Sequence, residues 1–136
     1  MKTKSKKYWI RKNDELWGQI VKKSANNRCE ICGLSRNVLH AHHWASGRTI
    51  KSTRWNLFNG LCLCFRCHFE AHNSPAVFLL KLKNKWGEYY YEGRENEIIQ
   101  LARELTHYKV ADYVNINIAL KATLNNLDKK IESKWR

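Results

Sequence analysis

A chain of 136 residues, 43% of them hydrophobic, matches one compact domain, and it holds no apolar run near the roughly 18 residues that cross a bilayer. The N-terminus, MKTKSKKYWIRK, is basic without the apolar stretch of a secretory signal, so a cytoplasmic protein is expected. Lys and Arg number 25 against 12 Asp and Glu, a net charge of +13 that makes nucleic acid the expected partner; residues 1–69 carry 14 basic and three acidic side chains, residues 70–136 only 11 against nine.

Lys2, Lys4, Lys6, Lys7, Arg11 and Lys12 surround Tyr8, Trp9 and Ile10, the composition of a basic arm over residues 1–13 that lies along phosphates. From Asp14 to about Asn26 the spacing of Leu16, Ile20 and Val21 predicts a short amphipathic helix capped by Asn13 or Asp14. The core is expected over residues 14–76, because Arg28 to His72 holds all five cysteines and five of the six histidines. Ser74 before Pro75 reads as the cap and first-turn proline of a helix running through Val77, Leu80 and Leu82 to a stop near Gly87. Tyr89, Tyr90 and Tyr91 read as a short strand or an aromatic loop, and Ile98, Leu101, Ala102 and Leu105 predict a helix from about Glu95 to His107. In the tail, Val114, Ile116, Ile118 and Leu120 alternate as in a strand. Helical spacing over Ile116, Leu120, Leu124, Leu127 and Ile131 covers more chain and predicts a helix, so residues 77–136 are expected as a helical extension of the same domain.

Cys29 and Cys32 in CEICG, and Cys64 and Cys67 in CFRC, are two pairs at the spacing that lets a tight turn aim both sulfurs at one ion. Four thiolates close a tetrahedral zinc shell and leave no position for substrate, so this zinc is expected to be structural. Cys62 has no partner at that spacing and is expected to pack beside Leu61 and Leu63.

No acidic residue occurs between Glu30 and Glu70, so a second metal in that stretch must be held chiefly by neutral imidazole. His68 and His72, four apart, project from one face of a helix that begins near Cys67. His42 and His43 are adjacent, point to opposite faces of a regular strand, and serve one site only if the strand ends there. The ordered set CEIC, HAHHW and NGLCLCFRCHFEAH resembles the HNH nucleases with a ββα-metal core, and more narrowly the small zinc-stapled HNH proteins of phages. The likeness spans Cys29 to His72, about a third of the chain.

The resemblance implies an α+β fold in which a small ββα-metal core, stapled by zinc, is packed between N-terminal and C-terminal helices. It implies a DNA endonuclease in a bacterial or phage-infected cell. His43 is implied as the general base that activates water, His42, His68 and His72 as ligands of the catalytic ion, and Asn59, rather than its neighbour Asn56, as the residue whose amide orients His43. Many relatives have Asp where His42 stands; an all-imidazole shell suits Mn2+, Co2+, Ni2+ or Zn2+ at least as well as Mg2+. Lys4, Lys6, Lys7, Arg11, Lys12, Arg48, Lys51, Arg54 and Arg66 are expected to hold the DNA backbone. One such site cuts one strand, so a double-strand break requires a dimer or a second encounter. A noncatalytic zinc-ribbon DNA-binding module would need only the cysteines and the basic arm and leaves the histidine set unexplained. A zinc-stapled protein that binds or cleaves RNA fits the charge equally well. His40 and His107 have no implied role, and Trp44 and Trp55 are expected in the core.

Overall fold

The computed structural model describes residues 2–35 and 38–134, so the first residue of the expected basic arm and the last two of the expected helical extension lie outside the described residues. The first helix, α1 (Lys6–Ser24), starts eight residues earlier than its apolar spacing predicted. Ser5 caps it, its hydroxyl accepting from the Tyr8 amide at 3.2 Å, so most of the expected arm is the first half of a helix, with Lys6, Lys7 and Arg11 exposed and Trp9 and Ile10 packed on the core. Asn13 is no cap: it is fully buried, donating to the Tyr113 carbonyl at 3.0 Å and accepting from the Asn117 amide at 3.0 Å, a polar bridge to the last helix.

After the first cysteine pair come β1 (Leu39–His43), the short α2 (Lys51–Arg54) and a single 3-10 turn, Leu57–Asn59. Next are β2 (Gly60–Cys64) and α3 (Phe65–Asn73). The two strands pair antiparallel with His43 opposite Gly60 and Leu39 opposite Cys64, giving a mixed α+β fold around a two-stranded sheet. Every residue of β2 is buried, and its alternation builds two cores. Leu61 and Leu63 pack with Trp44, Phe78, Leu82 and Tyr91; Cys62 packs on the opposite face with Trp17, Ile20, Val21 and Trp55. Cys62 is thus the apolar filler expected of it, its burial pushing the thiol up to about 11.

Helix α4 (Pro75–Trp86) follows Ser74 and stops at Gly87, whose φ of +83° suits glycine. Tyr89–Tyr91 belong to α5 (Glu88–Ala102), contrary to the strand or loop expected there, and that helix ends well before His107. Packing decides this: Tyr91 is buried against Trp44 and Trp86, and its hydroxyl donates to Glu95 one turn on at 2.9 Å. The tail forms α6 (Val110–Ser133), which lies along α1 and buries Tyr113, Asn117 and Leu120, while Ile118, needed by the strand alternative, is exposed. No helix among the described residues is long and apolar enough to cross a membrane.

Candidate active site

The sulfurs of Cys29, Cys32, Cys64 and Cys67 lie within 4.8 Å of one another, a cluster able to hold a structural metal ion such as zinc. Each pair sits where local geometry supports it. Gly33, at φ +79°, turns the first knuckle and its amide donates to the Cys29 carbonyl at 2.9 Å. Cys64 ends β2 and caps α3, its sulfur accepting from the Cys67 amide at 3.5 Å. The Cys32 and Cys64 sulfurs are 3.7 Å apart, matching the edge of about 3.8 Å in a tetrahedron with zinc–sulfur bonds near 2.3 Å. Burial would raise the Cys29 thiol, but backbone hydrogen bonds from Cys32, Cys64 and Ile31 prevail and bring it to about 7, so one thiolate is available near neutrality. Glu30 stitches this knuckle to β2: its amide donates to the Cys62 carbonyl, and its carboxylate accepts from the Cys62 amide, both at 2.8 Å.

A second group forms at the edge of β1 that has no strand partner among the described residues. There a cleft of about 510 Å³ runs between α1 and α3, lined by Asp14, Trp17, His42, His43, Arg48, His68 and His72 among others. Because β1 alternates, His42 turns toward α3 and His43 toward α1, and because the strand ends at His43, both rings reach the same cleft. His42, His68 and His72 offer ring nitrogens within 4.8 Å of one another. The Nε2 atoms of His68 and His72 are 3.0 Å apart, within the separation of about 2.8–3.4 Å, octahedral to tetrahedral, expected of two nitrogens sharing one ion at about 2.0–2.1 Å. Burial first, then the neighbouring His68, His72 and His43, hold His42 down at about 4, so it stays a neutral ligand at physiological pH. The three imidazoles therefore fit a divalent cation of the softer kind.

His43 is fixed from two sides. Its ring stacks on Trp17, centroids 4.0 Å apart and planes 6° from parallel, and its Nε2 lies 2.8 Å from the Arg54 carbonyl. A carbonyl only accepts, so Nε2 carries the proton and Nδ1 keeps a free lone pair. Burial lowers the His43 pKa, opposed by the Arg54 carbonyl and by Asp14, which keeps the ring neutral and able to take a proton.

Asn59, whose amide the resemblance implied to orient His43, makes no side-chain hydrogen bond to that ring among the described residues. Its Nδ2 donates to the carbonyls of Ser46 (2.9 Å) and Thr53 (3.2 Å), and its Oδ1 accepts from the amides of Ala45 (3.1 Å) and Ser46 (2.9 Å). Those four bonds exhaust the amide, so Asn59, wholly buried, ties the loop after His43 to the helix that carries the Arg54 carbonyl. Asn56 instead caps the 3-10 turn, accepting from the Phe58 amide at 2.9 Å.

Asp14 and Trp17 escaped the sequence reading, which saw Asp14 as a cap. One turn apart on α1, they grip opposite ends of the same unit. The Asp14 carboxylate accepts from Arg54 Nε (3.0 Å) and Nη2 (2.7 Å), from Trp55 Nε1 (3.0 Å) and from Arg48 (3.4 Å). Burial alone would raise its pKa, but the hydrogen bonds and charge of Arg54, with Trp55 and Arg48, lower it. Arg54 is thereby committed, since its Nη1 also donates to the Arg48 carbonyl at 3.2 Å; it is a strut under His43 rather than a free phosphate contact. No residue type signalled this, because an Asp and a Trp three apart read equally well as helix surface and core.

Of the remaining basic candidates, Lys7 and Arg11 join Arg48 and Arg54 around a second cavity of about 460 Å³ that shares Asp14 and Arg48 with the cleft. Lys4 and Lys12 lie over the Tyr8 ring, Lys6 and Lys51 over Tyr113, and Arg66 is exposed on α3. Compared with protein-family models, curated proteins and solved structures, the chain gives no match.

Proposed function

We propose that this chain is a metal-dependent DNA endonuclease of the HNH kind, in which His43 activates water against a phosphodiester bond. The observation that carries the reading is the placement of His43: a neutral imidazole, tethered through Nε2 and stacked on Trp17, opens into the same cleft as the three-imidazole set. With Nε2 donating to Arg54, Nδ1 is the atom left to take a proton from water, and the fixed ring costs no reorientation as it does so. Bound at His42, His68 and His72, a divalent cation supplies Lewis-acid stabilisation of charge on the phosphate and the leaving 3′ oxygen. Arg48, 69% exposed at its side chain, joins the cleft to the basic cavity beside Lys7 and Arg11, and together they offer the backbone of one strand a path to His43. The products are expected to carry 5′-phosphate and 3′-hydroxyl ends. The four cysteines hold the fold and take no part in the chemistry.

Cleavage of plasmid and oligonucleotide DNA, measured over Mg2+, Mn2+, Co2+, Ni2+ and Zn2+, tests the reading. Wild type is expected to cut with Mn2+, Co2+ or Ni2+ at least as fast as with Mg2+, and His43→Ala is expected to be slower by about 10²–10⁴-fold while still binding DNA. Equal rates for His43→Ala and wild type would overturn the mechanism.

A further inference from the structure

Helix α3 puts four side chains into one sector. At 100° per residue, Phe65, His68, Phe69 and His72 fall within about 100° of arc, while Cys67 and Ala71 point the other way into the core. His68 and His72 turn toward His42, with ring centroids 5.1 and 5.0 Å from it. The two phenyl rings pack on nothing comparable: Phe65 is 72% and Phe69 60% exposed. Their centroids are 6.5 Å apart and their planes 29° from parallel. Of the exposed large apolar side chains, these two share the outward sector of α3 with His68 and His72.

We propose that Phe65 and Phe69 form a stacking site for an unpaired nucleobase beside the scissile phosphate, so that the preferred substrate is DNA with an unpaired or unstacked base at the cut, such as a bulge, flap or branch. The proposal rests on the nuclease reading above and names its substrate class. Three observations single out a base as the occupant. Both rings share the outward sector of α3 with His68 and His72, so a strand whose phosphate reaches those imidazoles has bases next to the rings. The two rings, 6.5 Å apart on adjacent turns, offer aromatic surface on which an unstacked base can lie, a contact open to every base because each has a π-face. Arg66, exposed on the same helix and without a side-chain hydrogen bond or ion pair among the described residues, sets a cation beside the pair. In an uninterrupted duplex the bases are already stacked on each other, so the rings gain a partner only where the helix is open.

Full-length protein carrying its metals, with 2-aminopurine placed at the unpaired position of a bulged or flapped oligonucleotide, provides the test. The His43→Ala protein is expected to quench that base well beyond its effect on the matched duplex, and wild type to cut the open substrate with a KM lower by about 5- to 150-fold. In Phe65→Ala/Phe69→Ala both differences are expected to vanish while cleavage of the duplex is unchanged; both side chains are exposed, so folding should survive. Retention of quenching and preference by the double variant would overturn the proposal. So would a double variant that changes only the sedimentation of the protein, which would assign the face to a protein contact. Quenching that depends on Phe65 and Phe69 in a protein that cuts nothing would uphold the stacking site and sink the nuclease reading instead.

Discussion

Gly60 stands opposite His43 in the sheet, where α1 crosses β2 at closest approach. Its backbone, at φ −107° and ψ 137°, is open to any residue, so the need for glycine is purely one of space. A Cβ at this position would collide with Val21 Cγ2 and sit 2.9 Å from Trp17 Cζ2, both rigid parts of a buried helix face. Gly60→Ala therefore has to lift α1 or tilt Trp17, an overpacking cost of about 1–3 kcal/mol. For a domain of this size that corresponds to a fall in Tm of about 3–12 °C. Because Trp17 is the ring stacked on His43, kcat is expected to fall further than stability alone explains, measured well below the melting temperature. Adding Val21→Ala removes the nearest obstacle, and the double variant is expected to recover about 1 kcal/mol relative to the sum of the singles. Thermal melting followed by tryptophan fluorescence, with single-turnover cleavage at 25 °C, reads both effects. A Gly60→Ala protein with unchanged Tm and unchanged kcat would refute the claim that α1 is pressed against the site.

Cys32→Ser is expected to bind one zinc fewer than wild type by atomic absorption and to melt at lower temperature, whereas His68→Ala should lose the second metal with little change in Tm. Asn59→Ala takes the side-chain partner from the Ala45 and Ser46 amides and the Ser46 carbonyl, while the Thr53 carbonyl keeps the Asn56 amide, so stability is expected to fall by about 3 kcal/mol or more in urea titration, with activity falling alongside; His43→Ala should lower activity alone. Asp14 has a folded pKa below its unfolded value, so its contribution is complete above that unfolded value and is lost as pH falls through the folded one. Asp14→Asn is then expected to cost about 2 kcal/mol at pH 7 and almost nothing once pH drops below the folded pKa of Asp14; an equal loss at both ends of the titration would show that its charge is irrelevant.

The two cysteine pairs and the His68–His72 pair were legible because such spacing is a local constraint, whereas His42 was joined to the latter only through the resemblance. Two residues between cysteines, or three between histidines on a helix, place donor atoms together whatever the rest of the chain does. Asn59 could be picked out by position, but its work could not, since its partners at Ala45, Ser46 and Thr53 are set by how two loops meet. The start of α1 was hidden because lysines and an arginine crowd Trp9 and Ile10, so the segment reads as a basic arm although both side chains pack on the core. Asn13 and Asp14 look alike in sequence as polar residues before an apolar face. One is buried against a helix a hundred positions away and the other clamps Arg54, and neither partner is nearby in sequence. Tyr89–Tyr91 carry the aromatic content of a strand, yet Trp44 and Trp86 offer Tyr91 a helical seat.

The Cys64 cap on α3 has a mechanical consequence. Cys64, Cys67, His68 and His72 occupy one uninterrupted stretch of strand end and helix, so a single part serves both metal groups. Helical pitch makes that part a ruler without slack: one residue gained or lost between Cys67 and His68 turns everything beyond it by 100° and swings both imidazoles out of the cleft while all four sulfurs stay in place. Such a frame error would keep the four sulfurs together, strip the cleft of two imidazoles and turn Ala71 out of the core. The same insertion beyond Asn73, between α3 and α4, would leave both groups in register.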